Sequence, residues 1–436
     1  MSQRQEHDSA SGARGRYFRP DIEGLRAVAI LCVVLFHAGV PLFHGGLVGV
    51  DVFFVISGFV ITALLVRLRV ESIGTPSSRF ADFYARRARR IIPAASVALI
   101  ITALFSWLIL GGEGTRTGWD ITAAATWTAN LRFAVTQTAQ PLTLLSPSPV
   151  EHFWSLSVEE QFYLVWPLLL LIALILTARK ARSPKPSDAS QASNAGSYRL
   201  MIWLLGALSI VSFGLSILLT VSSPMWAFYS TPTRLWELGA GGILALWVQH
   251  DRNHTSVSCA HDKTSRWRAT IGWSGFIAII AAAVTFDENT LIPGPASLIP
   301  VLGALAIIAA GSSPPSASNG LACGSVGSVL AGRAPRAIGR ISYSWYLWHW
   351  PVLVLGSALI VDNRVDRPIG QLWPWSAGVG CLLITLSLVP ALLSYVGLEQ
   401  PLRASRALRA SNGRTFALAA GFTTAAVCAG LLLSLT

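Results

Sequence analysis

His37 lies eleven residues after Arg26 in the stretch GLRAVAILCVVLFHAGV, residues 24–40. At 1.5 Å per residue a helix would set the two roughly 16 Å apart, with His37 past the middle of the apolar run. An imidazole takes and returns a proton near neutral pH, which is the requirement for general acid–base chemistry. On an apolar helix the same residue can also be a packing histidine held by a neighbouring hydroxyl or carbonyl.

Other polar groups fall at the edges of apolar runs. Asp51, in GGLVGVDVFFVISGF, can orient an imidazole, pair with an arginine, or serve as a first-turn acid favoured by the helix dipole. Gly45 and Gly49 in the same stretch are four apart, which permits close helix packing. In FADFYARRARRIIP, Arg86, Arg87, Arg89 and Arg90 offer the forked donors that suit phosphate oxygens, although any inner loop attracts arginine. EHFWSLSVEEQFYLVWP carries His152, Glu159, Glu160 and Tyr163, and STPTRLWELGAG sets Arg234 and Glu237 one helical turn apart. His349, among the aromatics of ISYSWYLWHWP, fits a glycan-stacking surface or an interfacial aromatic belt. Ser57 reads as a packing residue, and His250, His254, His261 and Asp262 as a solvated loop; no metal site is expected.

The elements that must position these residues are apolar helices. The 436 residues are 53% hydrophobic and 12% charged, about half the charged fraction of an average soluble domain. Runs near the length needed to cross a bilayer recur at 25–43, 47–69, 91–111, 156–177, 201–221, 233–249, 270–286, 296–311, 341–361, 375–397 and 414–434. The expected fold is an all-α, polytopic integral membrane protein with about 11 transmembrane helices. The run at 121–135 is too polar to count and reads as an interfacial or re-entrant helix.

The net charge of +12 would suggest nucleic acid if it were clustered on one face. Instead the 33 lysines and arginines alternate in blocks between the runs. With a cytoplasmic N-terminus, all but Arg116, Arg132, Arg234, Arg364 and Arg367 fall on the inner side. The basic excess is therefore a topology signal and no nucleic-acid partner is expected. The N-terminus is expected in the cytoplasm, the C-terminus outside, and the protein in the cytoplasmic (inner) membrane. Residues 1–18 are polar and lead into a full-length run, so the first helix reads as an uncleaved targeting signal. Residues 1–18 and 178–198 read as disordered cytoplasmic segments, and 112–154 as the largest outer segment. The five cysteines show no disulfide or metal spacing. Phosphate-type arginines thus gather inside and acid–base and sugar-type residues outside, with His37 between, an arrangement suited to a reaction that draws one reactant from each side.

Several stretches, in order, resemble the membrane-bound acyltransferase family 3, and more narrowly its branch often fused to an SGNH hydrolase-like domain. They are RPDIEGLRAVAILCVVLFHAG, GGLVGVDVFFVISGFVIT, FYARRARRIIPA, HFWSLSVEEQFYLVWPLLL, STPTRLWELGAGGILAL, ISYSWYLWHWPVLVL and LSYVGLEQPLR. The resemblance implies a transmembrane acyltransferase domain over 19–403, followed at 404–436 by an inner loop and a final helix. It implies O-acyl transfer, most often of acetyl, from cytoplasmic acyl-CoA to a hydroxyl of an extracytoplasmic glycan, glycolipid or peptidoglycan. Acyl-CoA is then a co-substrate and no cofactor is expected. By position His37 matches the family's first-helix catalytic histidine, Arg26 the arginine eleven before it, and Arg86–Arg90 the donor-side RxxR element.

The site expected from residues and resemblance together has His37 and Asp51 in catalysis and Arg26, Arg86, Arg87, Arg89 and Arg90 on the acyl-CoA. Glu159, Glu160, Arg234, Glu237 and His349 stand on the acceptor side. No GDS-like block appears in the 436 residues, so an SGNH-type domain is expected to be dispensable, to be supplied by a separate protein, or to belong to a longer form of this chain. The rival reading is a transporter or flippase of a lipid-linked saccharide, with the buried charges marking a substrate path.

Overall fold

The computed structural model describes residues 19–71, 76–111, 114–139, 147–180, 189–254, 263–287, 289–312, 324–360 and 375–436, and these contain helices and no strand. The helices are α1 (Pro20–His37), α2 (Val48–Glu71), α3 (Pro76–Leu110), α4 (Gly114–Ala125), α5 (Ala129–Ala139), α6 (Phe153–Lys180), α7 (Ala189–Ser222), α8 (Pro224–Tyr229) and α9 (Thr231–His254). They continue with α10 (Lys263–Thr285), α11 (Leu298–Ala310), α12 (Val326–Leu330), α13 (Arg333–Ile360), α14 (Ala377–Ser394), α15 (Gln400–Ala404), α16 (Arg406–Arg409) and α17 (Asn412–Leu433). A π-helical turn, Tyr395–Glu399, joins α14 to α15.

Each of the eleven apolar intervals holds a helix. Among the described residues, six helices are long and apolar enough to cross a membrane: Val48–Val66, Phe80–Leu110, Leu200–Ser222, Arg266–Thr285, Ala377–Ala404 and Asn412–Leu433. Three that fall short, α1, α9 and α13, carry the polar groups singled out above: Asp21, Glu23 and Arg26; Arg234 and Glu237; and His349 among tyrosines and tryptophans. Their polar side chains turn inward and lower the apolarity that such a criterion measures.

Two segments differ from expectation. In 178–198, α6 runs on to Lys180 and α7 already begins at Ala189, ahead of the apolar run that starts at residue 200. The polar run at 121–135 is two helices, α4 and α5, broken at Trp127, whose φ is 57°. That left-handed backbone costs a non-glycine residue energy, and Gln161 on α6 secures it by donating to the Trp127 carbonyl at 2.9 Å. The last helix, α17, packs along α3 and α4. Residues 1–18, His261, Asp262, Cys259, Cys323, Arg364 and Arg367 lie outside the described residues.

α1 begins with the features expected of a helix start: Pro20 in the first turn, then Asp21 and Glu23 facing the positive end of the dipole. It ends before Gly39, whose φ of 74° breaks the helix. Leu25, Ala29, Ile30, Val33 and Val34 are buried along its length, because α1 is enclosed by α2 and α13. Glycines make that enclosure possible. A Cβ on Gly49 of α2 would stand 2.3 Å from the Ala29 carbonyl oxygen, and one on Gly339 of α13 only 1.8 Å from that of Glu23.

Gly339→Leu therefore forces α13 away from α1. The expected result is a loss of about 1–3 kcal/mol or more of stability, read as a lowered thermal midpoint of the purified protein. Gly421→Leu on α17, where a Cβ meets nothing within 4 Å, leaves the midpoint in place. Equal midpoints for the two variants would show that the α1–α13 approach is not tight.

Candidate active site

The site is built from helix faces. On α1, Arg26 and His37 are eleven apart; on α13, Ser342, Tyr346 and His349 recur at four and three; on α6, Ser155, Glu159 and Tyr163 recur at four. These spacings place each set along one stripe of its helix.

His37 and His349 meet at the end of the stripe, with Nδ1 of His37 3.0 Å from Nε2 of His349. Their rings stack with centroids 5.2 Å apart, and the His37 ring also lies 4.6 Å from that of Trp350. Both are buried, His349 completely, so His349 belongs to the interior and not to a lipid-facing aromatic belt. Trp375 donates to the carbonyl of His37 at 3.0 Å, engaging a group at the C-terminal end of α1 that has no helical partner.

A third imidazole completes the cluster. Nε2 of His152 donates to the Leu347 carbonyl at 3.2 Å, and the His152 and His349 rings lie edge to face at 5.4 Å. Leu347 is four residues before Pro351, which has no N–H to give it. The proline thus frees a carbonyl inside α13 and His152 satisfies it. Since a carbonyl only accepts, His152 carries its proton on Nε2, and its Nδ1 is buried with no hydrogen-bond partner among the described residues. The Tyr346 hydroxyl donates to the His152 carbonyl at 3.0 Å and lies 2.6 Å from the Ser155 hydroxyl.

Further along the stripe the groups become charged. Ser57 donates to Glu159 at 3.0 Å and Tyr163 donates to the same carboxylate at 3.1 Å. Pro167 frees the Tyr163 carbonyl in the way Pro351 frees Leu347, and the Tyr84 hydroxyl fills it at 3.1 Å. Arg87 pairs with Glu160 at 2.7 Å and lies 3.2 Å above the Tyr163 ring. Arg26 donates twice to Ser342, at 3.1 and 2.9 Å, within electrostatic reach of Arg90, Glu399 and Glu159. Glu399, in the π turn, accepts from Ser344 at 3.1 Å and stands 3.7 Å from Arg90.

The residues singled out in the sequence divide accordingly. His37, His349, Glu159, Glu160, Arg26, Arg87 and Arg90 join one polar column between α1, α2, α3, α6 and α13. Arg87 and Glu160, which the sequence reading assigned to opposite reactants, are partners. Arg89 is buried and spent on the Leu408 carbonyl and Thr415, at 3.0 and 3.2 Å, tying α3 to α16 and α17. Arg86 is exposed. Asp51, Arg234 and Glu237 form a separate buried triad, with Nη1 of Arg234 2.9 Å from Asp51 and 3.0 Å from Glu237. Asp51 therefore pairs with an arginine, and the His37 ring meets His349. Glu399, Ser342 and Tyr346 received no role in the sequence, and His152 was noted without one. The usable signals were Pro351, which demands a donor four residues back, and the lone acid of LSYVGLEQPLR.

One arginine faces two carboxylates in the triad, and no water reaches them: the three side chains are 2, 3 and 0% exposed. Arg234→Leu leaves both acids without a cation, a change expected to cost about 3–5 kcal/mol. The thermal midpoint of the purified variant should fall far more than that of Arg132→Leu, whose partner Asp120 sits in a single surface-reaching pair with Arg132 27% exposed. Equal falls would mean that the triad does not lock α2 to α9.

Comparison with known proteins adds the lineage. The family described as acyltransferase domain matches residues 19–393. The protein named "Peptidoglycan O-acetyltransferase OatA" of Listeria monocytogenes is 28% identical over 390 residues, which are 89% of this chain and 56% of that protein. The one named "Putative peptidoglycan O-acetyltransferase YrhL" of Bacillus subtilis is 29% identical over 411 residues, 91% of this chain and 56% of its own. The chain thus spans little more than half the length of these relatives. No solved structure matches. With the matched interval containing both histidine-bearing helices, α1 and α13, and most of the bundle around them, the chain belongs to the acyltransferase domain family.

Proposed function

We propose that the protein is a membrane O-acetyltransferase that moves an acetyl group from acyl-CoA, bound from the cytoplasmic side, to a hydroxyl of an envelope glycan, with peptidoglycan first among acceptors because the similar proteins carry that name. The observation that carries the reading is the pair His37–His349, buried at one end of a polar column whose other end holds Arg26, Arg87 and Arg90.

In this reading the chemistry follows from the column. The thioester lies between the arginines and the histidines. The acceptor oxygen attacks the acyl carbon, a C–O bond forms and the C–S bond breaks. Its proton passes to His37 and from there to the leaving thiolate. Arg86 and Arg90, the two arginines of the cluster with exposed guanidinium surface, hold donor phosphates. Arg89 ties helices together, and Arg87 with Glu160 and Glu159 shapes the channel. The bare Nδ1 of His152 accepts a hydrogen bond from a second, non-attacking hydroxyl of the acceptor. Asp51, Arg234 and Glu237 hold α2 against α9 without touching the reactants.

Mass spectrometry of envelope glycans tests this in a deletion strain complemented with wild-type protein, His37→Ala or Arg86→Ala/Arg90→Ala at matched membrane abundance. The expected outcome is loss of an acetyl ester in the deletion, restored by wild type, absent with His37→Ala, and weakened with a raised KM for acyl-CoA in the arginine variant. Full restoration by His37→Ala would remove the histidine from the chemistry. Movement of a lipid-linked saccharide with no acyl-CoA turnover would favour the transporter reading. Reconstitution with glycan alone, against glycan plus an SGNH-type protein, separates direct transfer from hand-over.

A further inference from the structure

The orientation of the histidine pair follows from a single acceptor. Nδ1 of His349 is 2.7 Å from the backbone carbonyl of Tyr346, three residues earlier on α13. A carbonyl oxygen has no proton to give, so His349 donates and carries hydrogen on Nδ1. His349 is fully buried and no salt bridge reaches it among the described residues. A second proton on its ring would therefore be a buried charge without compensation. Nε2 of His349 accordingly presents a lone pair. That lone pair is what Nδ1 of His37 meets at 3.0 Å, and two lone pairs do not bond. The proton between the rings belongs to His37.

We propose that His349 is a positioning residue that holds His37 in its Nδ1–H tautomer, so that Nε2 of His37 carries the lone pair that takes the acceptor's proton. The sense of the chain is set by backbone: Tyr346 carbonyl, His349, His37. Rotation of His349 is restricted by the stacking with His37 and by Tyr346, whose ring centroid is 5.2 Å away. When His37 takes up a proton at Nε2, the imidazolium keeps its hydrogen bond to His349, which spreads the charge over a partner already aligned. His349 then touches no reactant, in contrast to its placement on the acceptor side in the sequence reading. This inference rests on the acyl-transfer reading for its consequence, but the tautomer itself does not.

The test uses purified full-length protein labelled with 15N-histidine, in which the two ring nitrogens of a neutral histidine give distinct protonated and bare signals. His37→Ala identifies the His37 signals. Wild type should show a protonated Nδ1 and a bare Nε2 on His37. His349→Gln supplies a side-chain carbonyl that can accept from His37, so the tautomer and most of kcat should survive. His349→Leu has no acceptor. There the His37 signals should shift towards the other tautomer, and kcat should fall by up to about 10⁴-fold, the order that follows when a catalytic imidazole loses the partner that fixes its tautomer, with KM for acyl-CoA little changed. A bare Nδ1 on His37 in wild type overturns the proposal whatever the activities. So does His349→Leu with wild-type tautomer and kcat, or His349→Gln no better than His349→Leu while both keep the wild-type thermal midpoint. If His349→Leu does not fold, the wild-type spectrum and His349→Gln still decide. Normal acyl transfer by His37→Ala would overturn the base role given to Nε2 of His37, whereas a wild-type protein with the correct tautomer and no acyl-CoA turnover would sink the acyl-transfer reading and leave the tautomer assignment intact.

Discussion

Within an apolar bundle a polar group has to find its partner in the protein, since neither lipid nor aliphatic side chains can supply one. This constraint organises the molecule. The His37–His349 contact requires two helices more than 300 positions apart in sequence to bring their stripes together at 3.0 Å. That in turn requires α13 to be thin on its α1 side, where Gly339 backs onto the Glu23 carbonyl. Arg26 and Ser342 continue the seam, so α1 and α13 are joined by side-chain hydrogen bonds at Arg26 and His37 and by backbone proximity one turn before Arg26, at Glu23. The other polar residues occupy places where this seam leaves room.

Prolines contribute donors' targets to the same economy of contacts. Each proline inside a helix strips a carbonyl four residues back of its partner. At Pro351 the orphan is Leu347, filled by His152; at Pro167 it is Tyr163, filled by Tyr84. In both cases the filling side chain comes from a different part of the chain, the turn before α6 for His152 and α3 for Tyr84, so a local defect becomes a cross-link. It also explains why an imidazole that packs between Phe153, Tyr346 and His349 has a defined orientation. The π turn at Tyr395–Glu399 acts similarly. Widening the helix by one residue per turn turns Glu399 inward to Ser344 and Arg90, and such turns are frequent at functional sites.

Local pattern was legible in the sequence and pairing was not. Apolar runs of membrane length announced the helices, and the eleven-residue step from Arg26 to His37 placed both on one stripe. The three-residue step from Arg234 to Glu237 put both on one helix face, and the structure pairs them there. The third member, Asp51, was visible only as an acid of open purpose, because its partner lies 183 residues away. His349 looked like an aromatic-belt residue for the same reason: its neighbours in sequence are tyrosines and tryptophans, while its neighbours in space are two histidines. The pairing of Arg87 with Glu160 was not foreseen, because it depends on depth. Counting residues from each helix end gave no measure of how the helices slide past one another, and that offset is what brings the two charges to 2.7 Å.

The same geometry separates charges that hold the fold from charges that are available. Arg234 is surrounded by two carboxylates and the Phe228 carbonyl. Arg89 is consumed by the Leu408 carbonyl and Thr415, and Arg87 by Glu160 and the Tyr163 ring. A guanidinium already bonded in this way gains little from a phosphate, because the new bond would be made at the expense of a buried one. Arg90 differs: its contact to Glu399 is long at 3.7 Å and its side chain is 37% exposed. Arg86 is exposed outright. A run of four arginines that the sequence presents as equivalent is thus divided by burial into two structural members and two that an anionic substrate can engage.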